Sequence, residues 1–444
     1  MAQYFVQPGG NDSNDGRDNI GVGLSTATWT ESTHTLTQAG HGHSFVAGDV
    51  IYLSGGTGVT TGLYQVTGVT SNDILLAETS SLPGVGNASD VAAGDLSTGD
   101  ITSSDGPRAT IQAASNLLAD NTLDRVWIRG GTDYTEMVTF AHEASNEADR
   151  VEYVGYTSTL GDNGRFVVDG ESSRDHAFDN SDSGPSHTAW INMEVKNCNA
   201  QCVDIGGLEA VFFKNCYFHD SAGGVFSGTD HISADRCVFD TLTGVGIEGD
   251  QNVVVTNCTF ADCTGSQCIR GEQVTVVGCL FYGGNNNLKA VEFFFDGISL
   301  VCNNTIVGVE GNASGAIFMS GSGQDNLIAF NNIIVDWDTA FEHGTTDMTG
   351  NLTYSIYNNL LFSNGTDYTQ MPTGENHVTS DPSFVDSGSD DYSLPSTSPA
   401  IGAGVSAFDN SDLPDGSSNQ NIGAQQSAVT GGGGTSGLLS GTIM

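Results

Sequence analysis

Basic residues are almost missing from this 444-residue chain: 12 Lys and Arg stand against 53 Asp and Glu, a formal charge of −41, and none follows Lys289. A surface of that sign excludes nucleic-acid partners, because phosphate binding needs clustered Lys and Arg. It reads as a solvated acidic surface, with Ca²⁺ binding as the alternative use of so many carboxylates. Long apolar runs are also missing, so no membrane insertion is expected. The start, MAQYFVQPGG, has neither the basic residues nor the apolar stretch of a signal peptide, and synthesis in a cytosol is expected. Closely spaced cysteines are missing too: Cys258, Cys263 and Cys268 lie five apart, which fits no closed zinc site. Nine cysteines cannot all pair within one chain. No G-x-S-x-G elbow, P-loop or dinucleotide fingerprint stands in a supporting context, and no cofactor is expected.

What is present is a repeat. KNCYF (214–218), DRCVF (235–239), TNCTF (256–260) and VGCLF (277–281) follow one another at intervals of 21 residues. The series Asn197-Cys198, Asn215-Cys216, Arg236-Cys237, Asn257-Cys258 and Gly278-Cys279 continues as Asn303-Asn304, Asn331-Asn332 and Asn358-Asn359. Each unit has a short β-rich segment before the motif and a Gly/Asp/Ser/Asn-rich turn after it. No amphipathic helix fits between copies, so the period means stacked short strands rather than helical repeats. A coil of parallel strands with a rise of ~4.8 Å per turn stacks equivalent positions into ladders. Cys and Phe ladders would fill its interior, and Asn ladders would satisfy backbone groups at its corners. The fold class expected is all-β: a single-stranded right-handed parallel β-helix of about 12 rungs and roughly 55 Å.

The words of the chain also resemble the right-handed parallel β-helix repeat family, the pectate-lyase-like superfold. YFVQPGGNDSNDG (4–16) resembles its first strand and turn, and PRATIQAASNLLADNTLDRVWIRGGTDYTEMVTF (107–140) its capping helix and first rung. DPSFVDSGSDDYSLPSTSPAIGAG with NIGA, within 381–424, resembles its closing segment. The organisation expected is a cap strand over 1–21, an inserted all-β module over 22–106, the capping helix and β-helix over 107–380, a closing segment over 381–430 and a glycine-rich tail over 431–444. Within the insertion, strands are expected at 50–53, 63–67 and 73–76, in a pattern similar to small barrels of phage structural proteins. In the tail, Leu438, Leu439, Ile443 and Met444 read either as a frayed end or as a tether that docks into a partner.

Chemistry on such a rod needs carboxylates close together for glycosidases, or a Lys or Arg base, often with Ca²⁺, for lyases. IEGD (247–250), IRGE (269–272) and VEF (291–293) fall on successive turns. They stack Glu248, Arg270 and Glu292 on an outer face as a ladder able to bind glycan, with Asp250 expected above Glu272. One reading makes Asp250 and Glu272 a catalytic acid/base pair with Arg270 binding an anionic sugar; the other is a surface ion-pair ladder. Lys289 is a weak candidate lyase base. Asp12, Asn14 and Asp15 read as a turn rather than a Ca²⁺ loop, and His34, His41 and His43 as loop histidines; no metal site is expected.

The resemblance extends to phage tailspike and virion β-helix proteins, and implies a virion structural protein that attaches to host surface polysaccharide. Its partners would be other virion proteins, and a homotrimer is implied. Such a protein would be made in the host cytoplasm and act outside the cell. A polysaccharide lyase or glycoside hydrolase, and a bacterial surface adhesin, stay open as alternatives.

Overall fold

A computed structural model of the chain describes residues 2–424 except 9, 14–23, 25–26, 42–44, 56–57, 83–84, 93–95, 104–106, 120–121, 140–146, 180–186, 207–209, 228–230, 285–287, 295–296, 310–314, 321–324, 345–352 and 406–420. The candidate tail residues Leu438, Leu439, Ile443 and Met444 lie outside the described residues, as do Asn14, Asp15 and His43.

The repeat winds into a coil of three parallel sheets with eleven, nine and ten strands, called here sheets 1, 2 and 3. One turn shows the path: Ala210–Lys214 lies in sheet 1, Tyr217–His219 in sheet 2 and Gly223–Ser227 in sheet 3, and His231–Asp235 returns to sheet 1. The motif is the corner between sheets 1 and 2. Its first residue takes a left-handed backbone (Asn215 φ 54°, Asn257 φ 54°, Asn303 φ 57°), a region that Asn and Gly enter at little cost, and Gly278 (φ 68°) serves in their place. Arg236 (φ 55°) is the exception, its guanidinium bonded to Asp235 at 2.9 Å.

The second residue points inward and caps the turn before it. The Cys258 sulfur accepts from the Cys237 N–H (3.3 Å) and the Cys279 sulfur from the Cys258 N–H (3.4 Å). The series passes to Asn without a break: Asn304 Oδ1 accepts from Cys279 N–H (2.8 Å), Asn332 from Asn304 (3.1 Å) and Asn359 from Asn332 (2.9 Å). All nine cysteines are free and buried. Beside them Phe218, Phe239, Phe260 and Phe281 stack with ring centroids 5.0, 4.7 and 4.9 Å apart. The repeated Cys and Phe are therefore corner cap and core filler of one turn.

The rung count is smaller than the expected 12. Nine turns carry all three strands, one for each strand of sheet 2, preceded by incomplete turns that begin at Gln3–Val6 and Arg125–Arg129. A 21-residue period over the β-rich stretch overcounts because the turns after Gly278 are longer, with the motif recurring at Asn303, Asn331 and Asn358.

The helix near the start is short, Ile111–Ser115, with Thr110 as its N-cap. The Glu136 carboxylate accepts from the Ile111 and Gln112 N–H groups (2.7 and 3.0 Å) and ties the helix to the first turns. Residues within 27–103 form a closed six-stranded barrel with its own core of Trp29, Ile51, Leu53, Tyr64, Val66 and Ile74. Besides strands near the three read from sequence, it uses Ala27–Thr30, Thr35–Thr37 and Leu96–Ser103. Val50 and Leu63 of the barrel pack on Phe5, Trp127, Val154 and Tyr156 of sheet 1. The closing segment folds back over sheet 2, where Tyr392, Leu394, Ala400 and Ile422 pack on Leu280, Val307, Ile333 and Leu360.

Candidate functional site

Sheet 3 presents a column of outward side chains along its strands, because alternate residues of a strand face opposite sides. Parallel pairing in register places Phe226 beside Glu248, Glu248 beside Arg270, Arg270 beside Glu292, Glu292 beside Phe318 and Phe318 beside Glu342. At the starts of the same strands, three residues earlier, Gln267 lies beside Lys289. The expected Glu248–Arg270–Glu292 ladder is thus present, continued by Phe318 on the side of Glu292.

Its members neutralise one another. The Arg270 guanidinium donates to Glu248, and its carbon lies 4.7 Å from the Phe294 ring centroid. Glu292 is buried, at 5% exposure, where a carboxylate needs partners. It accepts from the Gln267 amide and pairs with the Lys289 ammonium at 3.2 Å. That ammonium also lies 3.8 Å from the Phe318 ring centroid. On the next turns burial holds the Glu342 carboxyl above the usual carboxylate range, with Asp338 adding to the effect against the Gly315 N–H and Lys289. Lys289 is thus engaged with Glu292 and the Phe318 ring.

A groove of about 270 Å³ opens beside this ladder, lined by Gln201, Ala222, Gly223, Gly244, Val245 and Glu248 among others. It exists because small residues hold the outward and corner positions there. A Cβ on Gly244 would lie 2.2 Å from the Ala222 carbonyl oxygen, so this turn admits no side chain.

Asp250 and Glu272 lie at successive corners that lead from sheet 3 back to sheet 1. Two residues, Asp250 and Gln251, separate Gly249 from the next strand at Asn252, whereas Glu272 alone separates Gly271 from Gln273, so the corners differ in length. Arg270 turns to Glu248 rather than toward either of them.

A second constellation, not singled out in the sequence, lies on sheet 2 where the closing segment ends. Tyr217 stacks on His219 (4.1 Å) and donates to Asp240 (2.9 Å); His219 in turn meets Asp220 at 2.8 Å and Glu194 at 3.3 Å. On the next turn burial, then the charges of Asp240 and Asp390, raise the Asp262 carboxyl. Burial first, then Asp390 and its hydrogen bond, push the Tyr392 phenol up to about 12; Tyr392 lies 5.3 Å from Tyr282. The available signal was the variable pair after the repeated Phe: His219-Asp220, Asp240-Thr241, Ala261-Asp262 and Tyr282-Gly283. Asp390 could not be added from the repeat, because the closing segment brings it there.

No curated protein matches the chain. Among solved structures, "Geobacillus virus E2 - ORF18" is matched at 12% identity and a TM-score of 0.32, and the chain spans 58% of that chain with 58% of its own length. The catalytic unit of a thermostable GH87 α-1,3-glucanase from Streptomyces thermodiastaticus strain HF3-3 is matched at 12% identity and a TM-score of 0.35, over 82% of this chain and 86% of that one. The family model for the right handed beta helix region matches residues 183–361. Together with the parallel register of all three sheets, that match identifies residues 183–361 as a right-handed β-helix region.

Proposed function

We propose that this protein is a carbohydrate-binding β-helix that attaches a bacteriophage particle to glycans of the host surface, with the outer face of sheet 3 as the binding face. The observation that carries the reading is the groove beside the Glu248–Arg270 pair. Its volume suits one sugar ring, its apolar wall of Ala222 and Val245 suits the C–H face of a pyranose, and Glu248 and Gln201 offer hydrogen bonds to hydroxyls. A net charge of −41 favours a neutral glycan over a polyanion. The stacked backbone supplies the rigidity of an exposed particle component, and nine free, buried cysteines suit synthesis in a reducing cytosol.

The test is calorimetric titration with neutral oligosaccharides released from host surface polysaccharide. Glu248→Gln and Gly223→Leu, the latter filling the groove, are expected to weaken binding at least tenfold while the circular-dichroism melt stays unchanged. Should Gly223→Leu unfold the rod, Gln201→Ala takes its place. Undiminished affinity in the folded variants overturns the assignment of this face.

One observation favours a second reading, cleavage of glycosidic bonds. Burial, then the charges of Asp240 and Asp390, favour the protonated form of Asp262, as a general acid requires. Asp240, which accepts from Tyr217 at 2.9 Å, is the neighbouring carboxylate offered as its partner. Reducing ends released by the wild type and lost in Asp240→Asn and Asp262→Asn would establish this reading.

A further inference from the structure

We infer that the outer face of sheet 1, over its last five turns, is a self-association face covered by a second copy of this chain. The rod has three sides, and over these turns they differ in kind. Sheet 2 is covered by the chain's own closing segment. Sheet 3 carries Arg270, Lys289, Glu292 and Glu342. Among the described residues, sheet 1 carries no charged side chain at an outward position of its last five strands. Its two open columns read Asn252, Gln273, Ile298, Asn326 and Thr353, and Val254, Thr275, Leu300, Ile328 and Ser355; in the third, Thr256, Val277, Cys302, Phe330 and Tyr357, the chain itself already buries Cys302 and Phe330.

That is a patterned absence in a chain with 53 acidic residues. Two such chains repel through almost any pair of surfaces, and the repulsion is least where both faces are neutral. Ile298 is the most exposed large apolar side chain on the rod, at 61%, and it sits on this face beside Val254, Leu300 and Ile328. Nearer the N-terminus the same side of the same sheet already serves as a docking surface: there Trp127, Val154 and Ile191 carry the barrel. The outward pair Lys214–Asp235 separates the covered stretch from the bare one.

Face-to-face packing of two such sheets needs only interdigitating β-branched and aliphatic side chains at ~10 Å separation. Five turns at ~4.8 Å and strands of ~17 Å give a flat area on the order of 400 Å² per copy. This is below the ~800 Å² per partner of a standard stable interface, so the association is weak and depends on concentration and salt.

Light scattering on the full chain across a concentration series, at low salt and near 1 M NaCl, tests this. The expected result is a mass above the 46.2 kDa of one chain that grows with concentration and with salt. The double variant Leu300→Glu, Ile328→Glu is expected to remain monomeric with an unchanged melt. Should it fold poorly, Ile298→Glu, at the exposed position, replaces it. A monomer under all conditions overturns the inference, and so does an oligomer that the folded variants leave intact. Loss of glycan binding in Glu248→Gln without loss of association separates this face from the sheet 3 reading.

Discussion

Asp262 shows how one side chain of the coil answers to residues far away in sequence. Its backbone takes φ 47°, a region open to Asp and Asn, at the corner that follows sheet 2. Burial, Asp240 on the turn before and Asp390 on the closing segment all disfavour its charge. Its folded pKa lies above the unfolded value, so the native state holds the proton more tightly than the unfolded chain. The stabilisation is therefore complete below the unfolded pKa and is lost as pH rises through the folded pKa. Asp262→Asn keeps the corner and removes the charge. It is expected to raise the melting temperature at pH 7 and leave it unchanged near pH 3, as differential scanning calorimetry at both pH values would check.

At the scale of an element, the corner ladder does one task with two chemistries. Asn332 accepts from the Asn304 N–H, donates to the Val301 carbonyl (2.8 Å) and also bonds Asn304 Nδ2 and Asn359 Oδ1. Cys258 accepts from one backbone N–H at 3.3 Å, and its thiol donates to the Ala234 and Thr256 carbonyls at 3.5 and 3.3 Å. Sulfur is a weak partner, so less is lost with it. Asn332→Ala leaves several buried polar groups unpaired and is expected to cost roughly 3–5 kcal/mol. Cys258→Ala is expected to cost about 1–2 kcal/mol, chiefly in lost packing. Guanidinium midpoints of the two variants give the comparison, and equal losses would refute the ladder's unequal halves. The element was readable because its period is a backbone property: every corner needs one left-handed residue and one inward cap. The barrel was less readable. Thr35–Thr37 is three residues long, and Leu96–Ser103 carries Gly99 and Asp100 in its middle, so neither shows a sustained strand pattern.

For the whole molecule, charge is the dominant long-range term. The chain carries 53 acidic residues against 12 Lys and Arg, a net charge of −41. Local pairs such as Arg125–Glu152, Lys196–Asp133, Arg270–Glu248 and Lys289–Glu292 answer it at scattered points along the rod. Raising NaCl from about 0.01 to 1 M shortens the Debye length from roughly 30 to 3 Å and removes most of this repulsion. The melting temperature is expected to rise by several degrees across that range, and a flat or falling salt profile would refute a repulsion-limited fold.

The sequence by itself determined the coil, its corners and its buried ladders, because each turn repeats one local problem in backbone conformation and capping. It also placed Glu248, Arg270 and Glu292 side by side, since register in a parallel coil follows directly from the repeat. Tertiary structure alone decided the rest. The corners that carry Asp250 and Glu272 differ in length by one residue. The fold-back of the closing segment set Asp390 and Tyr392 beside Asp262, and docking of the barrel covered one end of sheet 1 while its far end stayed bare. These outcomes depend on contacts between segments that share no period, and no repeat records them.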